Sequence, residues 1–143
     1  MARVTTEVER GIMSIKLELP LRLMSEANQR EHWAAKAKRT KLHRATCRMA
    51  VRCYVPTTLP RDFTIVCKFT RLGPRQLDGD NLQGACKAAR DGVADAFGLD
   101  DGDNRWIWGY AQEKSKDYGL RIQININTGE GNGQPTGDQA SRG

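Results

Sequence analysis

Residues 63–98 read FTIVCKFTRLGPRQLDGDNLQGACKAARDGVADAFG and contain a strand pattern followed by a helix pattern. Apolar residues alternate with mostly polar ones at the start, which predicts a half-buried strand with these inward residues: Phe63, Ile65, Cys67 and Phe69. Gly73 and Pro74 mark the loop that ends the strand. In the helix that follows, Asp80 is the predicted N-cap with Gln83 three residues on, and Gly98 is the predicted C-terminal stop.

Patterns of the same two kinds flank this unit on both sides. Residues 13–19 alternate apolar and polar side chains up to Pro20, which predicts a strand. A helix is predicted from about residue 33 to Tyr54, with a packing face of Leu42, Ala45, Met49 and Cys53 beside a cationic stripe of Lys41, Arg44, Arg48 and Arg52. Two more strands are predicted over 106–110 and 120–126, and the short turn between them favours an antiparallel hairpin.

The order strand, helix, strand, helix, strand, strand predicts an α+β fold, in which a single mixed β-sheet is covered by two helices. The chain of 143 residues suffices for one such domain, which we assign to residues 12–127. Residues 1–11 and 128–143 are expected to be disordered tails, and the second contains five glycines and no large apolar side chain. With no apolar run of membrane-spanning length and no secretory leader, we expect a soluble cytoplasmic protein.

The cysteines do not form a metal-binding pattern. Their spacing contains no C-x-x-C pair, and only His43 and Cys47 stand four apart on a predicted helix, which is a weak indication of zinc. We therefore expect four reduced and mostly buried thiols: Cys47, Cys53, Cys67 and Cys86.

Charge is distributed unevenly along the chain. The net charge is +6, yet residues 78–103 hold seven acids and two bases, a local net of −5 that leaves +11 on the remainder. A basic body predicts a polyanionic partner. The acidic segment would repel that same partner unless a cation lies between them.

The acidic residues cluster on one helix face and at both ends of that helix. On a helical projection Asp80, Lys87 and Asp91 share one face, with Asp78 just before them. Carboxylates about 5 Å apart repel by roughly 3 kcal/mol per pair at an effective dielectric of 20, so something must compensate them. A structural interpretation has Asp80 as a helix cap and Asp91 paired with Lys87.

The same structural interpretation would make the D-D-G-D run an ordinary turn, and we favour it for three of the acids taken singly: Asp91, Asp95 and Asp103. For Asp78, Asp80 and Asp101 we favour a metal site, because oxygen-only clusters select hard cations such as Mg²⁺ or Mn²⁺. An EF-hand calcium loop is excluded, because the fifth position of the loop, which must supply a ligand, would be Leu82 or Arg105.

A cation held by these carboxylates would bridge the acidic segment to a phosphodiester. The metal would polarise a phosphoryl oxygen and lower the pKa of a bound water, while Lys87 would stabilise the growing negative charge. The chain has no G-x-x-x-x-G-K-S/T loop, so we expect no nucleotide cofactor. The predicted reaction is hydrolysis of a nucleic-acid backbone.

Three linked motifs now carry a resemblance: L77-D78-G79-D80-N81-L82-Q83, then K87-A88-A89-R90-D91, then L99-D100-D101. This order resembles the RusA family of Holliday junction resolvases, especially its phage and prophage members, which read D-x-D-N-L, K-x-x-x-D and D-D. The segments N28-Q29-R30-E31-H32-W33 and K36-A37-K38-R39-T40-K41 also look like that family's N-terminal part. The resemblance spans roughly residues 15–127.

The resemblance implies that Asp78, Asp80 and Asp101 are metal-binding catalytic carboxylates and that Lys87 is the catalytic lysine. Asp100 is the alternative to Asp101 as third ligand. The implied cofactor is Mg²⁺, with Mn²⁺ as a substitute. In the enterobacterial pattern the lysine comes four residues after the second aspartate, where this chain has Gly84.

The resemblance also implies a homodimer that makes paired nicks in strands of like polarity at a four-way DNA junction. A two-fold dimer would supply two sites with matching symmetry. Trp106 and Trp108 are expected to pack in the sheet or the dimer interface. The candidate phosphate contacts are Lys38, Lys41, Arg44, Arg48, Arg71 and Arg75.

Two alternatives stay open at this point. Asp101 or Asp103, followed by Gln112-Glu113-Lys114 on a strand, faintly resembles the PD-(D/E)xK arrangement of another class of metal-dependent nucleases. The second alternative is a non-catalytic DNA-binding module whose acidic residues are structural.

Overall fold

The computed structural model describes residues 3–9, 11–25, 33–59 and 62–128. They form five strands and three helices: β1 Arg3–Glu9, β2 Ile12–Leu19, α1 Trp33–Arg52, β3 Thr64–Gly73, α2 Gly79–Ala85, α3 Lys87–Phe97, β4 Trp106–Lys114 and β5 Gly119–Asn127. The strands form one sheet in the order β1-β2-β5-β3-β4. The predicted α+β class with a single mixed sheet is confirmed. None of the described helices has the length and apolar character that crossing a membrane requires.

The predicted hairpin between the last two strands is wrong, because β3 lies between them. The helices α2 and α3 carry the chain over one face of the sheet, so β4 returns parallel to β3. Strand β5 then pairs antiparallel with both β2 and β3. Burial explains this order: Leu120, Ile122, Ile124 and Ile126 of β5 are fully buried, whereas Ile107 of the edge strand β4 is 57% exposed.

The expectation of a loose N-terminus needs a correction. Arg3–Glu9 form the edge strand β1, which pairs antiparallel with β2 from Arg3↔Glu18 to Glu9↔Ile12. Gly11, with a φ of 76°, lies in the turn between them. Sequence periodicity missed β1 because Val4 packs against the core while Val8 is 76% exposed, so main-chain pairing defines this strand. Residues 129–143 of the predicted C-terminal tail lie outside the described residues.

The position of α1 is confirmed, but its predicted packing face is wrong. Leu42 and Met49 are 61% and 65% exposed, and the buried residues of the helix are His43, Cys47 and Val51. The cause is a close approach of α1 to α3 at Gly92. A Cβ atom at Gly92 would lie 2.4 Å from the carbonyl oxygen of Arg44 and 3.0 Å from Cβ of Cys47.

The single helix predicted over residues 80–98 is divided into α2 and α3 at Cys86. Cys86 keeps right-handed helical backbone angles, and its N–H is shared between the carbonyl oxygens of Leu82 (3.1 Å) and Gln83 (3.2 Å), which tightens the turn. The N-cap position belongs to Asp78 rather than Asp80. Gly98 ends α3 in the left-handed conformation, with a φ of 68°, as predicted.

The expected reduced thiols are confirmed, and three of the four are buried. Cys47, Cys67 and Cys86 lie in the core between the helices and the sheet, whereas Cys53 is exposed near the end of α1. Burial raises the pKa of the Cys47 and Cys86 thiols to about 12. These thiols therefore behave as small apolar core residues.

Candidate functional site

Residues 100–103 form the acidic turn, which connects α3 to β4. The N–H of Asp103 donates to the carbonyl oxygen of Asp100 at 3.0 Å, and the N–H of Gly102 donates to Oδ2 of Asp100 at 3.2 Å. The D-D-G-D run is thus a turn, as the structural interpretation of these acids has it. Its hydrogen bonds use the Asp100 carboxylate locally, which leaves the Asp101 side chain to face the helices.

Two tryptophans of β4 hold the acidic turn from the sheet. Nε1 of Trp106 donates to the carbonyl oxygen of Asp100 at 3.0 Å, and Nε1 of Trp108 donates to that of Asp101 at 2.9 Å. The two indoles stack with centroids 4.3 Å apart, and Trp108 also stacks on Phe69 at 5.9 Å. The expectation that these tryptophans pack in the sheet is confirmed. Their N–H groups also fix the backbone that carries Asp101.

The Asp101 carboxylate joins a charged network with α3. Nζ of Lys87 donates to Oδ1 of Asp91 at 2.8 Å and to Oδ2 of Asp101 at 3.2 Å, and Nε of Arg90 lies 3.1 Å from the same Oδ2. The hydrogen bond to Asp91 raises the pKa of Lys87, and the hydrogen bond from Lys87 lowers the pKa of Asp101. Both shifts favour the charged forms of Lys87 and Asp101. The predicted pairing of Lys87 with Asp91 is confirmed.

Arg90 is a positioning residue that the sequence patterns did not reveal. Its guanidinium donates to the Tyr110 hydroxyl at 2.9 Å and to the Asp101 carbonyl oxygen at 3.3 Å, and lies 4.8 Å from the Trp108 ring centroid. Two features of the sequence could have indicated it. Arg90 follows Lys87 at a spacing of three on one helix, and Tyr110 continues the alternation of Trp106 and Trp108 on β4.

The remaining two candidate ligands, Asp78 and Asp80, lie at the start of α2, and we refer to them as the α2 carboxylates. Both residues are exposed, and the Asp78 side chain makes no capping hydrogen bond among the described residues. The preceding loop is held by Gln112, whose amide donates to the Leu77 carbonyl oxygen at 2.6 Å and accepts from the Leu77 N–H at 2.8 Å. Gln112 therefore fixes the backbone that leads to Asp78.

The described residues contain no group of three or more His, Cys, Asp or Glu side chains arranged to hold a metal ion. Asp78, Asp80 and Asp101 thus do not form a preformed three-carboxylate site in this structure. The positive charges of Lys87 and Arg90 compensate Asp101 instead. The ligand set implied by the resemblance stays a prediction, and we derive no chemical step through a metal.

The candidate phosphate contacts divide into two groups. Exposed positions are occupied by Lys38, Lys41, Arg44, Arg48 and Arg75. Arg71, in contrast, is 5% exposed, and its guanidinium donates to the carbonyl oxygens of Leu23 and Arg75 at 3.1 and 2.6 Å. Burial also lowers its pKa. Arg71 joins two loops inside the protein, so its predicted phosphate contact is corrected to a structural role.

Arg44 is tied to α3 by Asp95. Its Nε and Nη2 donate to the two carboxylate oxygens at 2.6 and 2.9 Å, and these hydrogen bonds raise the pKa of Arg44 and lower that of Asp95. Asp95 therefore joins α1 to α3, which agrees with its expected structural role.

The residues of the PD-(D/E)xK alternative are engaged elsewhere. Gln112 bonds the Leu77 backbone, and the Glu113 carboxylate pairs with Arg121 at 3.0 Å. Two hydrogen bonds from the Arg105 side chain hold the Asp103 carboxylate and lower its pKa to about 2. The structural role expected of Asp103 is confirmed, and Gln112, Glu113 and Asp103 each bond to a different partner.

A scan against family models matches no family, and a search of curated proteins finds no significant similarity to this chain. The resemblance to RusA resolvases therefore rests on the motif residues themselves.

Proposed function

We propose that this protein is a structure-selective endonuclease that resolves four-way DNA junctions by paired hydrolysis of phosphodiester bonds, with Mg²⁺ or Mn²⁺ as its cofactor. One observation carries the proposal. Lys87 and Asp91 belong to the second motif and Asp101 to the third, yet the Lys87 ammonium lies within 3.2 Å of both carboxylates. Two of the three motifs therefore meet at one charged group, which supports a shared chemical role.

In this proposal, Lys87 contributes positive charge next to the scissile phosphate. Its ammonium has three N–H donors, and among the described residues Asp91 and Asp101 use two of them, which leaves one for a phosphate oxygen. Arg90 lies beside Asp101, with its Nε 3.1 Å from the carboxylate and its Nη2 donating to the Asp101 carbonyl oxygen at 3.3 Å. A divalent cation, when bound, would supply an activated water. Asp78, Asp80 and Asp101 are the residues that would hold the cation, and Asp101 now contacts Lys87 and Arg90.

We further propose that the active form is a homodimer, because two symmetry-related cuts need two sites. Apolar side chains at the surface support self-association, and Leu42 and Met49 on α1 are both more than half exposed.

The decisive test is incubation of the purified protein with a labelled four-way junction and Mg²⁺ or Mn²⁺. We expect nicks in two strands of like polarity, and we expect Asp78→Asn to abolish cleavage while junction binding is retained. The matched control is Asp117→Asn, which makes the same chemical change at an exposed position of the β4–β5 turn and should cleave normally. Full cleavage by Asp78→Asn would contradict the assignment of that carboxylate.

One observation favours a second candidate, a DNA-binding module without catalysis. The described carboxylates nearest Lys87 are satisfied by ion pairs and do not form a ready metal site. For this candidate, the protein binds the junction but produces no nicks with either metal ion.

A further inference from the structure

A cleft of about 620 Å³ opens between α1 and the helices α2 and α3. Its α1 side presents cationic side chains, and its opposite side combines small and charged residues: Lys36, Lys41 and Arg44 face Gly84, Lys87 and Asp91. We refer to this feature as the cationic cleft. Its volume is comparable with that of sites that enclose a small ligand or part of a polymer.

Most of the charged side chains that line the cationic cleft are positive, although Arg44 is paired with Asp95 and Lys87 with Asp91 and Asp101. Four of the residues that line it are lysine or arginine, and Asp91 is the one acid among the described lining residues. Arg44 and Lys87, which already bind carboxylates, keep further N–H groups that can donate hydrogen bonds. Asp95 occupies one edge of the Arg44 guanidinium and leaves further N–H groups, and Lys87 keeps one N–H beyond its two carboxylate partners. An anion with several oxygens would use these donors.

The lining residues also indicate which part of a nucleic acid would enter. Gly84 and Ala88 provide a low surface on the α2–α3 side, and no aromatic ring is among the described lining residues. Bases are normally bound by stacking on aromatic rings, whereas backbone phosphates are bound by lysine and arginine. The cationic cleft therefore suits a sugar-phosphate backbone rather than exposed bases.

We propose that the cationic cleft binds the phosphodiester backbone of one DNA strand and delivers it to Lys87, which belongs to both the cleft and the Asp101 network. This inference rests on the proposed function for its substrate. It adds Lys36 to the predicted contacts and groups Lys41 and Arg44 into one binding site. Gly84 and Lys87, which lie four and seven residues after Asp80, both line this cleft.

Gly84 offers a direct test, because a Cβ atom added there meets nothing within 4 Å. Replacing a helical glycine also favours the helix, so these variants should fold. The experiment measures fluorescence anisotropy of a labelled four-way junction in EDTA, where metal-dependent cleavage cannot occur. We expect Gly84→Glu to weaken binding about tenfold, because its carboxylate enters the cleft and repels phosphate. Gly84→Gln adds similar bulk without charge, so it should bind at least threefold more tightly than Gly84→Glu.

The cleft can also be tested through salt. Lys41→Gln should lower the slope of log K against log salt concentration by about 0.9, the contribution of one phosphate contact. Lys116→Gln, at an exposed position in the β4–β5 turn, should leave the slope unchanged. An unchanged slope in Lys41→Gln would overturn the assignment of that contact.

Failure of the cleft and failure of the endonuclease are distinguishable. If the wild type nicks junctions but Gly84→Glu binds like wild type, the cleft proposal is overturned and the endonuclease stands. If the wild type never nicks but Gly84→Glu binds weakly, the cleft stands and the endonuclease does not. Equal losses in Gly84→Glu and Gly84→Gln would also overturn the proposal, because bulk rather than charge would then control binding.

Discussion

The acidic turn and the α2 carboxylates carry the same kind of side chain but are held in different ways. In the acidic turn, two stacked indoles bind successive carbonyl oxygens, and Lys87 and Arg90 compensate the Asp101 carboxylate. Asp78 and Asp80 are exposed, and the side chain that fixes their approach, Gln112, binds the backbone at Leu77. One part of the candidate site is thus anchored to two stacked tryptophans of the sheet, while the other faces solvent.

Because of this difference, substitutions in the two segments should affect folding stability and activity differently. Substitutions that loosen the acidic turn remove core packing, so they should lower the free energy of unfolding along with any activity. Substitutions of the α2 carboxylates change solvent-facing groups, so they should alter activity with little effect on folding. The contrast can be tested without knowing the substrate.

The largest effect is expected for Trp106→Ala. Trp106 is 7% exposed, stacks on Trp108 and meets Phe97 edge-on at 5.2 Å, so truncation leaves a large cavity and should cost about 3–5 kcal/mol. Asp80→Ala should change the free energy of unfolding by less than about 0.5 kcal/mol. Urea denaturation of both variants checks the pair. Similar losses in the two variants would remove the distinction between the segments.

Gln112→Ala should have an intermediate effect. It removes both hydrogen bonds to Leu77 and leaves a partly buried N–H and carbonyl without their partner, which should cost about 1–2 kcal/mol. Under the proposed function it should also reduce junction cleavage, because the backbone before Asp78 is released. Glu113→Gln is the neighbouring control, since its partner Arg121 lies on a partly exposed surface. If Gln112→Ala left both stability and cleavage unchanged, Gln112 would not position the segment.

The sequence patterns predicted the individual strands and helices better than they predicted which of them lie side by side. Strands β2, β3 and β5 follow from alternation, because burial on one face imposes a period of two. That period says nothing about which strand lies alongside, so β4 and β5 were wrongly paired. The position of helix α1 in the sequence was predicted correctly, but the face that it buries was not. Its orientation depends on the contact with Gly92, which is close in space but distant in sequence.

The candidate site could be predicted only in part, because sequence patterns reveal local contacts but not contacts between distant segments. The pairing of Lys87 with Asp91 is local to one helix, so spacing sufficed. The approach of Asp101 to Lys87 depends on the hydrogen bonds of the acidic turn. Sequence spacing does not reveal these hydrogen bonds, so it did not decide between Asp100 and Asp101. Arg71 was misassigned because an arginine at the end of a strand can be buried when backbone carbonyls satisfy it.

The smallest expected effect concerns the pH dependence of the Asp101 network, whose side chains are all partly accessible to solvent. The pKa of Asp101 is lowered in the folded state, first by the hydrogen bond from Lys87. Its contribution to stability is therefore present above the unfolded pKa of about 3.9 and is lost as the pH falls through the folded pKa. The pKa of Lys87 is raised in the folded state. Its contribution to the free energy of unfolding is therefore fully present below its unfolded pKa of about 10.4. That contribution is lost only as the pH rises through the folded pKa.

Asp101→Asn keeps the shape of the side chain and removes its charge, so it isolates this contribution. We expect the difference in unfolding free energy between wild type and Asp101→Asn to be constant from about pH 5 to 8 and to shrink below about pH 4. Urea denaturation across this range measures the difference, with Asp117→Asn in the exposed turn as the reference. A difference as large at pH 3 as at pH 7 would mean that the Asp101 charge does not stabilise the turn. The indoles alone would then hold it, and Asp101 would resemble the α2 carboxylates in contributing little to folding.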